Sequence, residues 1–205
     1  MNRPFTRLLG AAAVLTLAAP AAVAQQASPL KAVEQSLAAT NSMSARFTQA
    51  DGRGRTLSGT LSLKRPGKIR FEYGAGANML LVGDGKNVTF IDYDVGQKSA
   101  WPIARSPLAV LLSPQPNLGR IARIEPQANP GVVVVRARDA RRPEFGTLLL
   151  AFSKNAAAPG GLMLEGWTAI DAQNKRTTVK LDAQRYNVAI PDTAFSYREP
   201  AKRSR

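Results

Sequence analysis

The chain has no cysteine and no histidine among its 205 residues. The first absence removes disulfides, thiolate nucleophiles and cysteine-based metal sites together. The second removes the commonest general base and the commonest transition-metal ligand. Most hydrolytic and metal-dependent mechanisms fall with them, so the chain reads as a protein that is not an enzyme and uses no cofactor. Acidic residues are also few, 14 against 28 Lys and Arg, for a formal net charge of +14. Beyond the first two dozen residues no apolar run approaches the roughly 20 residues needed to cross a bilayer.

What is present begins with Arg3 and Arg7 ahead of the mostly apolar stretch Leu8–Ala21, followed by Ala22-Val23-Ala24. A positive start, a short apolar run and a small-x-small box make a secretory signal peptide over residues 1–24. No cysteine follows the box, so a lipid anchor there is not expected. Cleavage would leave one domain, 25–205, exported to the periplasm with a net charge of +12. In a cytosolic protein such charge suggests nucleic acid. Behind a signal peptide, nucleic acid and stable membrane insertion are not expected. The charge then reads either as attraction to anionic membrane surfaces and acidic partners or as a solvated basic surface. Apart from the tail Arg198, Lys202, Arg203 and Arg205, the basic residues are spread along the chain.

Ser28-Pro29 is a helix-starting pair. Leu30, Val33, Leu37 and Met43 then predict an amphipathic helix from about Pro29 to Ala45. Strands follow. Leu57, Leu61 and Leu63 alternate with polar residues, as do Ile69, Phe71 and Tyr73 after the turn Arg65-Pro66-Gly67. Period-2 alternation puts each set on one face, and Pro-Gly suits the centre of a type II turn, so the two runs predict an antiparallel hairpin. Further strands are expected at about 79–83, 87–92, 97–102, 121–125, 132–138, 147–153, 162–170 and 177–184, with Phe195-Ser196-Tyr197 closing the series. Ser106-Pro107 predicts a second short helix over 107–113. Two short helices and about ten strands read as a mainly β, α+β fold: an unclosed antiparallel barrel or strongly curved sheet. Two helices cover such a sheet only in part, which leaves either a filled core or an apolar cavity under a helical lid.

Three motifs invite chemistry and fail to supply it. Ser28-Pro29-Leu30-Lys31 has the Ser-x-x-Lys spacing without companion motifs. Asp92 and Asp94 share a strand face but have no third ligand nearby in sequence. Gly83-Asp84-Gly85 lacks the length and the Lys-Ser/Thr of a phosphate loop.

Six segments in order resemble the periplasmic outer-membrane lipoprotein carrier protein family, the LolA type. They are Ser44–Gln49, Gly59–Tyr73, Leu81–Lys86, Tyr93-Asp94 with Gln97, Ser106–Leu112, and Ile190-Pro191-Asp192 with Phe195. Residues 69 and 71, often aromatic in the family, are here Ile69 and Phe71, and residues 121–183 match only in strand rhythm. The resemblance implies a monomeric, non-enzymatic carrier that shields the acyl chains of lipoproteins in an apolar cavity. Its implied partners are acylated lipoproteins, an inner-membrane ABC lipoprotein-release complex and an outer-membrane lipoprotein receptor. A carrier of another lipid, or a lipid-sensing regulator on the same fold, is the alternative. The expected cavity lining is Phe47, Leu61, Leu63, Ile69, Phe71, Phe90, Leu108, Leu111 and Leu112, with Trp101 and Trp167 as possible reporters. The resemblance places the family's functional arginine at Arg65, whose five fixed donors suit the free carbonyls of a lid.

Overall fold

A computed structural model describes residues 28–74, 76–106 and 108–201. The expected signal peptide, Pro107 and the tail residues Lys202, Arg203 and Arg205 lie outside the described residues.

The chain opens with α1 (Pro29–Ala39), capped by the Ser28 hydroxyl, which accepts from the Lys31 amide at 3.4 Å. That cap is what the Ser-x-x-Lys match amounts to. Six strands follow: β1 (Ser42–Asp51), β2 (Thr56–Lys64), β3 (Lys68–Tyr73), β4 (Met79–Asp84), β5 (Asn87–Asp92) and β6 (Gln97–Pro102). A 3₁₀ turn, Ile103–Arg105, leads into the single helical turn α2 (Ala109–Leu112). Then come β7 (Ala122–Glu125), β8 (Val132–Ala137), β9 (Thr147–Lys154), β10 (Leu162–Ile170) and β11 (Arg176–Tyr186). All eleven strands form one antiparallel sheet in the order β6-β5-β4-β3-β2-β1-β11-β10-β9-β8-β7. Neighbours in space are neighbours in sequence except at β1–β11, where the first and last strands pair. β6 and β7 remain unpaired with each other, so the barrel is unclosed.

Three expectations are corrected. The first helix ends at Ala39 instead of Ala45, and Ser44–Gln49 is strand. Met43, Ala45 and Phe47 are buried while Arg46 and Thr48 are exposed, a period of 2; Met43 continues a strand face, not the helix stripe. The second helix shrinks from 107–113 to Ala109–Leu112. Phe195-Ser196-Tyr197 is not a strand: a 3₁₀ turn, Asp192–Phe195, starts a strap that crosses the outer face of the sheet. A segment lying across a face has no neighbouring strand edge to pair with. Its carbonyls are met by side chains instead, Lys64 Nζ donating to Ile190 O at 2.9 Å and Arg70 Nη1 to Ser196 O at 2.9 Å.

Cross-strand register builds the inner face row by row. Met43, Leu63 and Ile69 stand opposite one another, as do Ala45, Leu61 and Phe71. From the other side Val135, Leu150, Trp167 and Val179 form a matching row. α1 lies over this face through Val33 and Leu37, and α2 through Leu111 and Leu112; all belong to one buried cluster. Gly59 lies between Phe47 and Tyr73 in register, and a Cβ there would sit 2.0 Å from Glu72 O and 2.9 Å from the Phe47 ring. Its absence lets the two rings meet edge to face across the strand, 5.2 Å apart.

Candidate functional site

The β2–β3 connection is where sheet and lid meet. Lys64 pairs with Lys68, so Arg65-Pro66-Gly67 forms the turn, with a cis Arg65–Pro66 bond and Gly67 at φ +74°. Positive φ at low cost is what glycine supplies. The Gly67 amide donates to Leu112 O at 3.0 Å, and the Arg65 amide to Asn41 O at 2.8 Å. The Arg65 guanidinium reaches further: Nε donates to Leu111 O at 2.8 Å, and Nη1 donates to Leu37 O and Thr40 O. One side chain therefore holds carbonyls at the end of α1 and of α2, where a helix terminus leaves acceptors in excess; Leu37 O also accepts from the Thr40 amide at 3.2 Å.

No carboxylate pairs with Arg65 among the described residues. Burial lowers its pKa to about 10, still well above neutrality, so the group stays charged. A half-buried cation held only by carbonyls gains three hydrogen bonds and loses hydration. Those terms oppose each other.

Beneath Arg65 lies a space of about 10 Å³ bordered by Leu37, Met43, Leu63, Leu111, Phe152 and Leu164. That is at the lower limit for a single water. At this point beneath the lid there is no room for an acyl chain. Phe47 packs edge-on against Phe71 at 5.0 Å, and Phe71 against Trp167 at 5.9 Å. The Tyr73 hydroxyl donates to Gln49 Oε1 at 2.9 Å, and burial raises its pKa.

Of the nine residues expected to line a cavity, Phe47, Leu61, Leu63, Ile69, Phe71, Leu111 and Leu112 are buried in this cluster and Leu108 packs against it half-buried. Phe90 is the exception. Register puts it beside Leu81 on the same face, but its other neighbour is exposed Ser99, and it remains half-buried outside the cluster. Trp167 is buried within the cluster and Trp101 packs on its margin. Missed from sequence were the residues of the second half, including Val135, Leu148, Leu150, Phe152 and Leu181. Unbroken runs such as Val132–Val135 and Leu148–Leu150 hide which member faces inward; only the pairing partners reveal it.

The rejected motifs have structural uses. Asp84 Oδ1 accepts from the Lys86 and Asn87 amides at 2.7 Å, and Asp92 Oδ1 from the Asp94 amide at 3.0 Å. These carboxylates close turns. Among the described residues, no three acidic side chains come together as a metal site, and no helix is long and apolar enough to cross a membrane.

A protein from Chromobacterium violaceum described as an outer-membrane lipoprotein carrier protein is 28% identical over 208 residues, covering 98% of this chain and 96% of the relative. One from Bordetella avium with the same description is 29% identical over 212 residues, covering 98% and 97%. A crystal structure of a LolA superfamily protein from Nitrosomonas europaea aligns over 83% of this chain and 98% of that one, with a TM-score of 0.48 and 10% identity. The family model for the outer membrane lipoprotein carrier protein LolA matches residues 38–198, and the chain belongs to that family.

Proposed function

We propose that this chain carries the acyl chains of lipoproteins through the periplasm, from an inner-membrane ABC release complex to an outer-membrane receptor, after loss of residues 1–24 as a signal peptide. Each methylene kept from water is worth about 0.8 kcal/mol, so three acyl chains amount to tens of kcal/mol. Unaided passage through water is prohibitive. A carrier must shield that surface and still let it go, so its loaded state has to lie close in free energy to the membranes on either side.

The observation that carries this reading is Arg65 bridging the ends of α1 and α2 over an apolar interior. In the described state Arg65 joins both helix ends and little free space lies beneath it. Loading then requires α1 and α2 to lift from the sheet so that hydrocarbon replaces the side-chain contacts of the cluster. Closing restores those contacts and the three arginine bonds, and so works against retention of the cargo. Phe47, Leu61, Leu63, Ile69, Phe71, Leu111 and Leu112 would be the residues exchanging protein for lipid contacts, with Leu108 at the margin.

Arg65→Leu keeps an apolar stem and removes every donor. Each lost charged hydrogen bond costs about 1.5–3 kcal/mol. The variant is expected to sit open, bind acylated protein at least as well as the parent, and pass it on poorly to a purified receptor. Arg65→Lys is expected to fall between, because a point charge cannot reproduce the fork. Normal transfer by a well-folded Arg65→Leu protein would overturn the reading. Cargo entry is also expected to change Trp167 emission, since its ring packs on Phe71.

A further inference from the structure

Arginines are gathered by the fold at one corner of the sheet. Between residues 120 and 142 there are six arginines and two carboxylates. The β7–β8 hairpin sets Arg123 directly opposite Arg136, and the Arg138 amide donates to Ile121 O at 2.7 Å. Val135 and Ala137 are buried on the inner face, so alternation turns Arg136 and Arg138 outward, with Arg123 beside them. Like charges placed opposite each other on neighbouring strands are destabilising. One carboxylate, Glu125, answers Arg136 at 2.6 Å and Arg123 at 3.7 Å, and Asp139 answers Arg142 at 2.9 Å. Among the described residues no carboxylate pairs with Arg120, Arg138 or Arg141.

These side chains wall two adjoining concavities. One, of about 350 Å³, is bounded by Arg120, Arg123, Arg136 and Arg138. The other, of about 470 Å³, is bounded by Asn117, Arg120, Asp139, Arg141 and Arg142. Next to both lies an apolar slot of about 110 Å³ formed by Ala109, Val110, Ile121, Ala137, Phe145 and Leu148. Ile121 borders all three spaces, and Arg138 and Arg142 stand at the rim of the slot. The Arg142 guanidinium lies 4.9 Å from the centre of the Phe145 ring. Guanidinium groups beside an apolar slot complement an anionic amphiphile.

We propose that this corner binds the phosphate of an anionic glycerophospholipid at a membrane surface, the arginines holding the phosphate and the slot taking the adjacent apolar part of the lipid. The guanidinium fork matches phosphate geometry in a way an ammonium does not. The paired grooves are concave and sized for a headgroup, whereas an acidic protein surface would call for a broader face. The slot has no use for a free inorganic anion. The two arginine grooves lie on the outer face away from Arg65, while the slot opens at the rim between inner-facing Ala137 and Leu148 and α2 residues Ala109 and Val110, so it shares α2 with the Arg65 closure.

The test is co-sedimentation of the full chain with phosphatidylcholine vesicles, with and without phosphatidylglycerol. R123Q/R138Q is compared with R53Q/R185Q, which removes the same charge from exposed positions elsewhere. The parent is expected to prefer the anionic vesicles. R123Q/R138Q should lose about tenfold or more in that preference, at roughly fivefold per membrane-facing basic residue, and R53Q/R185Q about twofold or less. Equal losses in the two variants would mean that only overall charge matters and would overturn the site. A soluble short-chain phosphatidylglycerol should also bind the parent more tightly than inorganic phosphate or glycerophosphate. Equal binding of all three would reduce the corner to a simple anion site and overturn its assignment to lipid. No preference between the two vesicle types would overturn it as well, leaving an acidic protein as the partner to seek.

Discussion

The two wings of the sheet, β1–β6 and β7–β11, share an inner face and differ on the outer one. Inside, both feed one cluster, and Phe71 of one wing touches Trp167 of the other. Outside, Leu80, Val82 and Ile91 of the first wing are covered by the strap, with Phe195 buried among them and Ile190, Ala194 and Tyr197 alongside. The second wing has no such cover among the described residues. Val134, Leu149, Ala151, Thr168 and Thr178 border an open groove of about 550 Å³. The first wing is therefore three layers deep, with helix, sheet and strap, and the second is two. An apolar outer face is buried where a chain segment is available to cross it. Where none crosses, threonines enter, such as Thr168 and Thr178, whose hydroxyls bond to each other at 3.0 Å.

The sharpest way to break this comparison is to strip the same face in each wing. Phe195 is 5% exposed, and Phe195→Ala is expected to cost about 3–5 kcal/mol, the usual range for a buried phenylalanine. Val134→Ala, on the uncovered outer face, should cost about 1 kcal/mol or less, since little packs over it. Both are read from urea unfolding at neutral pH. Similar losses would show that the strap adds no real layer.

How much of this difference was visible beforehand depends on where the pattern had a single period. In β2 and β3, apolar and polar residues alternate, and Leu61, Leu63, Ile69 and Phe71 all face inward as the alternation requires. β4 reads Met79-Leu80-Leu81-Val82, and its apolar run serves two faces at once, Leu81 toward the main cluster and Leu80 and Val82 toward the strap. Periodicity cannot sort such a run. The strap itself resembled a strand because Phe195-Ser196-Tyr197 alternates, although its fate was decided by a tertiary surface far away in sequence. Met43 and Ala45 show the converse error: their period of 2, which Phe47 continues, reads as the tail of the preceding helix. Arg65 stood out through family resemblance, while its three carbonyl partners required the fold. The arginine corner was visible only in part: Arg136, Arg138, Arg141 and Arg142 cluster in sequence, but only the pairing of β7 with β8 sets Arg123 beside them.

A second, smaller effect measures how firmly the wings are joined inside. The Phe71–Trp167 edge-to-face contact at 5.9 Å should give a coupling of about 0.5–1.5 kcal/mol in a double-mutant cycle with Phe71→Leu and Trp167→Leu. The same cycle in an Arg65→Leu background is expected to give a smaller coupling, because an open interior separates the rings. An unchanged coupling there would place the effect of Arg65 on the helices alone, with the sheet unmoved.

The smallest expected effect lies in the strap's ionic anchor. Lys64 and Lys68 donate to the Asp192 carboxylate at 2.7 and 3.0 Å, and these bonds lower its pKa from 3.8. A carboxyl whose folded pKa lies below its unfolded one contributes stability above the unfolded value, and that contribution is lost as pH falls through the folded value. The pair is exposed, so the contribution is modest and weakens with salt. Its readout is local: the Ala194 and Ser196 amides, bonded to Pro191 O and Thr193 O, should lose hydrogen-exchange protection below about pH 4 while β9 in the other wing keeps its own. Glu199, held by Lys98 at 2.6 Å, is a second carboxylate anchor of the strap further on, so acid alone cannot separate the two. Asp192→Asn does. It should lower protection at Ala194 and Ser196 already at neutral pH, by no more than acid does in the parent. Unchanged protection in Asp192→Asn would mean that Phe195 burial and the arginine and lysine bonds to strap carbonyls hold the layer without this ion pair.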